Sequence, residues 1–128
     1  MKVLKKIEEI GYALVPSNRS ESCFFHVAAI FQRNKILSIG QNSFKTHPIA
    51  KKYGHRNSIL HAEVAAIIRH GLEDCSGLNI AVLRINRKND LTISKPCPCC
   101  QSIITNVGFK KVFFTNQKGQ WEQLTNNQ

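Results

Sequence analysis

Residues 78–85, Leu-Asn-Ile-Ala-Val-Leu-Arg-Ile, restrict the fold more than any other segment. They read as a strand apolar enough to be central in a sheet, with apolar neighbours on both faces. The flanking sequence supplies strands to sit beside it. Residues 23–32 (Cys-Phe-Phe-His-Val-Ala-Ala-Ile-Phe-Gln) are rich in aromatic and branched side chains and read as a first strand. Arg33-Asn34 make a turn, and Lys35 to Gln41 return as a second strand. Lys110 to Thr115 form a fourth strand, and Asn116-Gln117-Lys118-Gly119 turn the chain into a short fifth, residues 120–124.

Helical patterns occupy the gaps. Residues 2–14 make an amphipathic helix through Leu4, Ile7, Ile10 and Leu14, interrupted by Gly11 and ended by Pro16, Ser17 and Asn18. From Ser58, which suits a cap, Leu60, Val64, Ile67 and Ile68 share one face until Gly71. Pro96 fits the first position of another helix, with Ile103, Ile104 and Val107 inward and Gly108 at its end. The order α-β-β-α-β-α-β-β predicts an α/β sandwich, and 128 residues leave room for one domain, 1–128.

No apolar run approaches the ~20 residues of a membrane helix, so no membrane partner is expected. The first residues, Met1 to Glu9, alternate charged with apolar side chains too early for a secretory signal, which points to the cytoplasm. In a reducing compartment clustered cysteines are metal ligands or catalysts more often than disulfide partners. Cys97, Cys99 and Cys100 form such a cluster, whereas Cys23 and Cys75 lie in apolar or helix-end contexts and read as packed thiols. The 18 Lys and Arg outnumber 8 Asp and Glu, a net charge of +10. That sign suits a phosphate-bearing partner, nucleotide or nucleic acid; its plain alternative is a basic surface that serves solubility.

Two helix starts carry the chemistry: His61-Ala62-Glu63 and Pro96-Cys97-Pro98-Cys99-Cys100. Cys97 and Cys100 are three apart, so on a helix they share a face and can grip one metal ion. A helix N-terminus favours their thiolate form. With His61 they make three ligands, the usual complement of a catalytic zinc whose fourth position is left to water. Zinc lowers the pKa of bound water to about 7. Glu63 is poorly spaced to join His61 as a ligand, yet can reach that water and pass its proton to a substrate ring and a leaving amine. Hydroxide, acid–base help and an amine leaving group amount to hydrolytic deamination.

His61-Ala62-Glu63 followed by Pro96-Cys97-Pro98-Cys99-Cys100 resembles the His-x-Glu … Pro-Cys-x-x-Cys signature of the cytidine and deoxycytidylate deaminase superfamily. The resemblance covers residues ~23 to 115, since the element order also matches. It implies a cytidine deaminase-like fold, a three-layer α/β/α sandwich on a five-stranded mixed sheet. It also implies Zn2+ held by His61, Cys97 and Cys100, with Glu63 shuttling protons. Asn42, at the end of the second strand, matches the asparagine that contacts the sugar in many relatives, and the amide of Ala62 is implied in the polar contacts beside Glu63. A homo-oligomer, dimer or tetramer, is the family's common state. Three features depart from the pattern. Cys99 is an extra cysteine that a shift of register would put in place of Cys100. The stretch from Asn42 to His61 is longer than in tRNA-editing relatives. After the fourth strand the chain turns at once, as in free cytidine deaminases, instead of crossing over through a helix.

Residues 43–57 form a long polar loop with Lys45, His47, Lys51, Lys52, His55 and Arg56, and a loop of that length is usually functional or disordered. Lys45 and His47 are taken as substrate contacts, and Phe44 and Tyr53 as stacking or anchoring residues. His26 reads as a satisfied strand histidine, His70 as a helix C-terminal cation, and Trp121 as packing. The expected activity is deamination of a cytosine-type base in a nucleotide or nucleoside, dCMP or CMP favoured. The alternatives are a deaminase editing single-stranded DNA or RNA, and a structural-zinc nucleic-acid-binding module with Cys99 as fourth ligand.

Overall fold

The computed structural model describes residues 2–18, 25–41, 61–86, 88–95 and 98–124. In chain order the elements are α1 (Lys2–Asn18), β1 (Phe25–Gln32), β2 (Lys35–Gln41), α2 (Ala62–His70), a 3-10 turn (Leu72–Asp74), β3 (Asn79–Ile85), β4 (Leu91–Thr92), α3 (Pro98–Val107), β5 (Lys111–Thr115) and β6 (Trp121–Gln123). The strands form one mixed sheet in the order β2-β1-β3-β5-β6, with β4 also paired to β3. β3 and β5 run parallel, while the β1–β2, β1–β3 and β5–β6 pairs are antiparallel.

The alternation of β1 and β3 divides the core in two. Phe25, Val27, Ala29 and Phe31 of β1, with Ala81, Leu83 and Ile85 of β3, pack against Val3, Leu4, Ile7 and Val15 of α1. Ala28 and Ile30, with Ile80 and Val82, face Val64 and Ile67 of α2 and Ile103 and Ile104 of α3. β3 is therefore buried on both faces, and the molecule is a three-layer α/β/α sandwich. The parallel β3–β5 step places the N-terminus of the crossover helix α3 at the end of the sheet where α2 also begins.

Three details differ from the sequence reading. α1 runs on to Asn18 past Pro16, so the one i→i−4 hydrogen bond that Pro16 cannot make does not end the helix there. A sixth strand, β4, pairs Leu91 and Thr92 with Ile85 and Arg84; two residues are too few to show a period. α2 starts after His61, its N-cap, and not from Ser58. α3 is described from Pro98, and Pro96, expected as its first position, lies outside the described residues. The ends expected at Gly71 and Gly108 are observed: both adopt positive φ, 104° and 88°, and each donates its N–H back into the last turn. Among the described residues no helix is long and apolar enough to cross a membrane.

Candidate active site

His61 has extended backbone (φ −73°, ψ 152°), and its carbonyl accepts the first helical bond from Ala65 N at 3.0 Å. Its side chain makes no capping bond. The ring turns instead toward α3, where its Nδ1 lies 3.2 Å from Cys100 Sγ, across 39 residues of sequence. Cys100 is the third residue of α3 and fully buried. Glu63, in the first turn of α2, is only 5% exposed. A carboxylate there gains from the positive end of the helix dipole.

Each helix start is fastened to the sheet. Under α2, Gly40 of β2 comes so close that the helix backbone lies against it, and Ser38 Oγ donates to Ala66 O at 2.9 Å. The segment entering α3 is held by Ser94, three residues before Cys97. Ser94 Oγ donates to Val82 O at 2.7 Å and accepts from Thr115 N at 2.8 Å. Thr115 Oγ1 donates to Thr92 O at 2.6 Å and sits 2.8 Å from Ser94 Oγ. Both side chains are buried, so the ends of β3, β4 and β5 are locked together immediately ahead of the cysteines.

The donor types and their spacing suit a zinc ion. Zn–N and Zn–S bonds of roughly 2.05 and 2.3 Å at a tetrahedral angle put nitrogen and sulfur ~3.5 Å apart. The 3.2 Å between His61 Nδ1 and Cys100 Sγ is within a few tenths of that. Among the described residues no group of three or more His, Cys, Asp or Glu side chains gathers closely enough to hold a metal. Cys97, expected as the third ligand, lies outside the described residues, as do Asn42, Lys45, His47 and the rest of the 43–57 loop. The Cys100 sulfur is the one described as meeting His61; nothing described places the Cys99 side chain.

Ala62 is buried at the head of α2. Cys75 is a packed thiol that donates to Gly71 O at 3.3 Å, and burial, reinforced by Asp74, pushes its pKa up. His26 is half-buried on β1 opposite Arg84, and Trp121 packs on the α1 side with Nε1 donating to Glu8 at 3.1 Å. An open groove of about 560 Å3, lined by Ile93, Lys95, Phe114, Gln117, Lys118 and Gln120, begins two residues before Cys97 in sequence. Sequence reasoning missed Ser38, Gly40, Ser94 and Thr115. Their only signal is a small or hydroxyl side chain in an otherwise apolar strand or next to the cysteine motif.

Fold and geometry together define a class: helix-covered mixed-sheet proteins in which a histidine and a cysteine from two helix starts meet and a buried glutamate follows the histidine by two residues. The chain belongs to the cytidine and deoxycytidylate deaminase family: residues 6–116 match the family described as the cytidine and deoxycytidylate deaminase zinc-binding region. Among solved structures, the apo dCMP deaminase of cyanophage S-TIM5 is similar, at 22% identity over 87% of this chain and 83% of that one, with a TM-score of 0.52. The same enzyme in complex with dCMP and dUMP gives 19%, 90%, 82% and 0.59. Cytidine deaminase from Mycobacterium leprae gives 18% identity over 94% of this chain and 92% of that one, with a TM-score of 0.57. No curated protein matches the chain by sequence.

Proposed function

We propose that the protein is a single-domain (1–128), zinc-dependent hydrolytic deaminase of a cytosine-type base in a nucleotide or nucleoside, with dCMP or CMP preferred. The observation that carries this reading is the His61–Cys100 contact at 3.2 Å, together with the buried Glu63, in a chain of the deaminase family. His61, Cys97 and Cys100 would hold the zinc, which as a Lewis acid lowers the pKa of water to about 7. Glu63 accepts a proton from the attacking water and returns protons to the ring nitrogen and the departing amine, so that water and the amino base yield a carbonyl and ammonia. Asn42 holds the sugar, the amide of Ala62 contacts the reacting oxygen, and Lys45 and His47 meet the substrate at the pocket mouth. Lys45, Lys51, Lys52 and Arg56 give their loop a charge that favours a phosphate on that sugar. The S-TIM5 relative in complex with dCMP and dUMP supports a nucleotide. Cytoplasmic location and a homodimeric or homotetrameric state complete the reading.

A second reading, a single-stranded DNA or RNA substrate, is favoured by the open groove that Lys95 and Lys118 line, together with Glu122. Ammonia release from cytidine, deoxycytidylate and a cytosine-bearing oligonucleotide, at low and moderate salt, separates these substrates. The nucleotide should be deaminated best and with shallow salt dependence. A strand substrate would instead lose binding with a slope of about −0.7 per neutralised phosphate. Preference for bare cytidine would remove the phosphate assignment. Cobalt-substituted protein tests the metal site: an all-protein four-ligand shell, with Cys99 recruited, would replace the enzyme by the structural-zinc module.

A further inference from the structure

Gly40 stands where β2 passes under α2. A Cβ at this position would lie 2.3 Å from Ala66 N, 2.5 Å from Ala62 O and 2.9 Å from the Ala65 carbonyl carbon. All three are backbone atoms, so no rotamer change relieves the clash; the helix itself must move. Gly40 does not have the positive φ that would require glycine for conformational reasons, and it pairs in register with Ala28. A glycine inside a strand weakens the strand, and close approach of another backbone is the reason left for it. Two residues earlier on the same face, Ser38 Oγ holds Ala66 O at 2.9 Å. One residue limits how far the helix can rise, the other how far it can sink away.

We propose that Gly40 and Ser38 form a seat that sets the depth of α2 and, through it, the separation of His61 from Cys100, with Gly40 a positioning residue for the metal centre. The inference rests on the zinc reading above. Ordinary contact begins near 3.4 Å, so a methyl group on Gly40 displaces the first turn of α2 by about 1 Å. Metal–ligand distances tolerate only about ±0.2 Å. His61 adjoins the displaced turn, so the ligand pair is lost before the fold is.

Gly40→Ala, Ser38→Ala and, as a stability control, Phe31→Leu in the core on the opposite face are compared with the parent. Zinc affinity is read by chelator competition, the ligand field from the cobalt spectrum, and fold from thermal melts. Gly40→Ala should bind zinc about 10- to 100-fold more weakly, with an altered cobalt spectrum, as do changes in residues that orient metal ligands. Ser38→Ala should show the same change at the lower end of that range. Phe31→Leu should melt earlier with its zinc affinity unchanged. Parent-like zinc affinity and cobalt spectrum in folded Gly40→Ala overturn the proposal. If Gly40→Ala does not fold, parent-like values in Ser38→Ala overturn it. A parent that binds no zinc fails the zinc reading itself, a distinct result.

Discussion

Glu63 is buried yet set at a helix start that accommodates negative charge, which suits the proton-carrying role proposed for it. Gln in its place keeps the shape and loses the proton. Glu63→Gln is expected to retain zinc and melting behaviour while turnover falls by about 10²–10⁴-fold, measured as ammonia release at matched zinc content. Comparable activity in the variant would move the proton transfer to another group, His47 being the candidate. Ser94 acts differently, since it touches only backbone and Thr115. Removing its hydroxyl leaves Val82 O and Thr115 N buried without that partner, at a cost of about 1–3 kcal/mol. Urea titration of Ser94→Ala reads the loss, and stability equal to the parent's would mean that water replaces the hydroxyl. The meeting of His61 with Cys100 was legible because chemistry confines metal ligands to few residue types. Ser94 was not, because a serine before a helix has many ordinary reasons to be there.

Elements were legible where the pattern was local. β2 spans Lys35–Gln41 as read, since its turn and its length are written in adjacent residues. The start of α2 was read too early because Ser58 is the better cap by residue type, while the ring of His61 is engaged by Cys100 from a distant helix. Gly11 shows the same limit. Read alone it interrupts α1, at a cost near 1 kcal/mol relative to Ala. In the fold it lets α1 settle on β3: a Cβ there would stand 3.0 Å from Leu83 Cδ1, and Leu83 is fully buried. Gly11→Ala is therefore expected to destabilise by about 1–2 kcal/mol through overpacking, despite the gain in helix propensity. A higher melting temperature in the variant would show that Leu83 can give way.

For the whole molecule, the apolar run at 78–85 announced the layered sandwich, because a strand covered on both faces demands helices on both sides. The 42–60 region, which carries the expected substrate contacts Asn42, Lys45 and His47, falls outside the described residues, so the candidate site is described only around His61, Glu63 and Cys100. The sequence separation of 39 between His61 and Cys100 has a bearing on the order of assembly. The β1–β2 hairpin is local and closes within microseconds. The parallel β3–β5 pairing must wait for a long loop to close, and Cys100 rides on the helix that makes this crossover. If His61, Cys97 and Cys100 hold zinc as proposed, the ion would meet its full ligand set only when folding is nearly over. Stopped-flow measurements with zinc and with chelator should show unfolding slowed by the metal and refolding unchanged, the signature of contacts absent from the transition state. Faster refolding in zinc would mean that the two helix starts find each other early and that the metal guides the chain. On the expected order, metal capture would follow folding, and a cell short of zinc would accumulate folded, inactive protein.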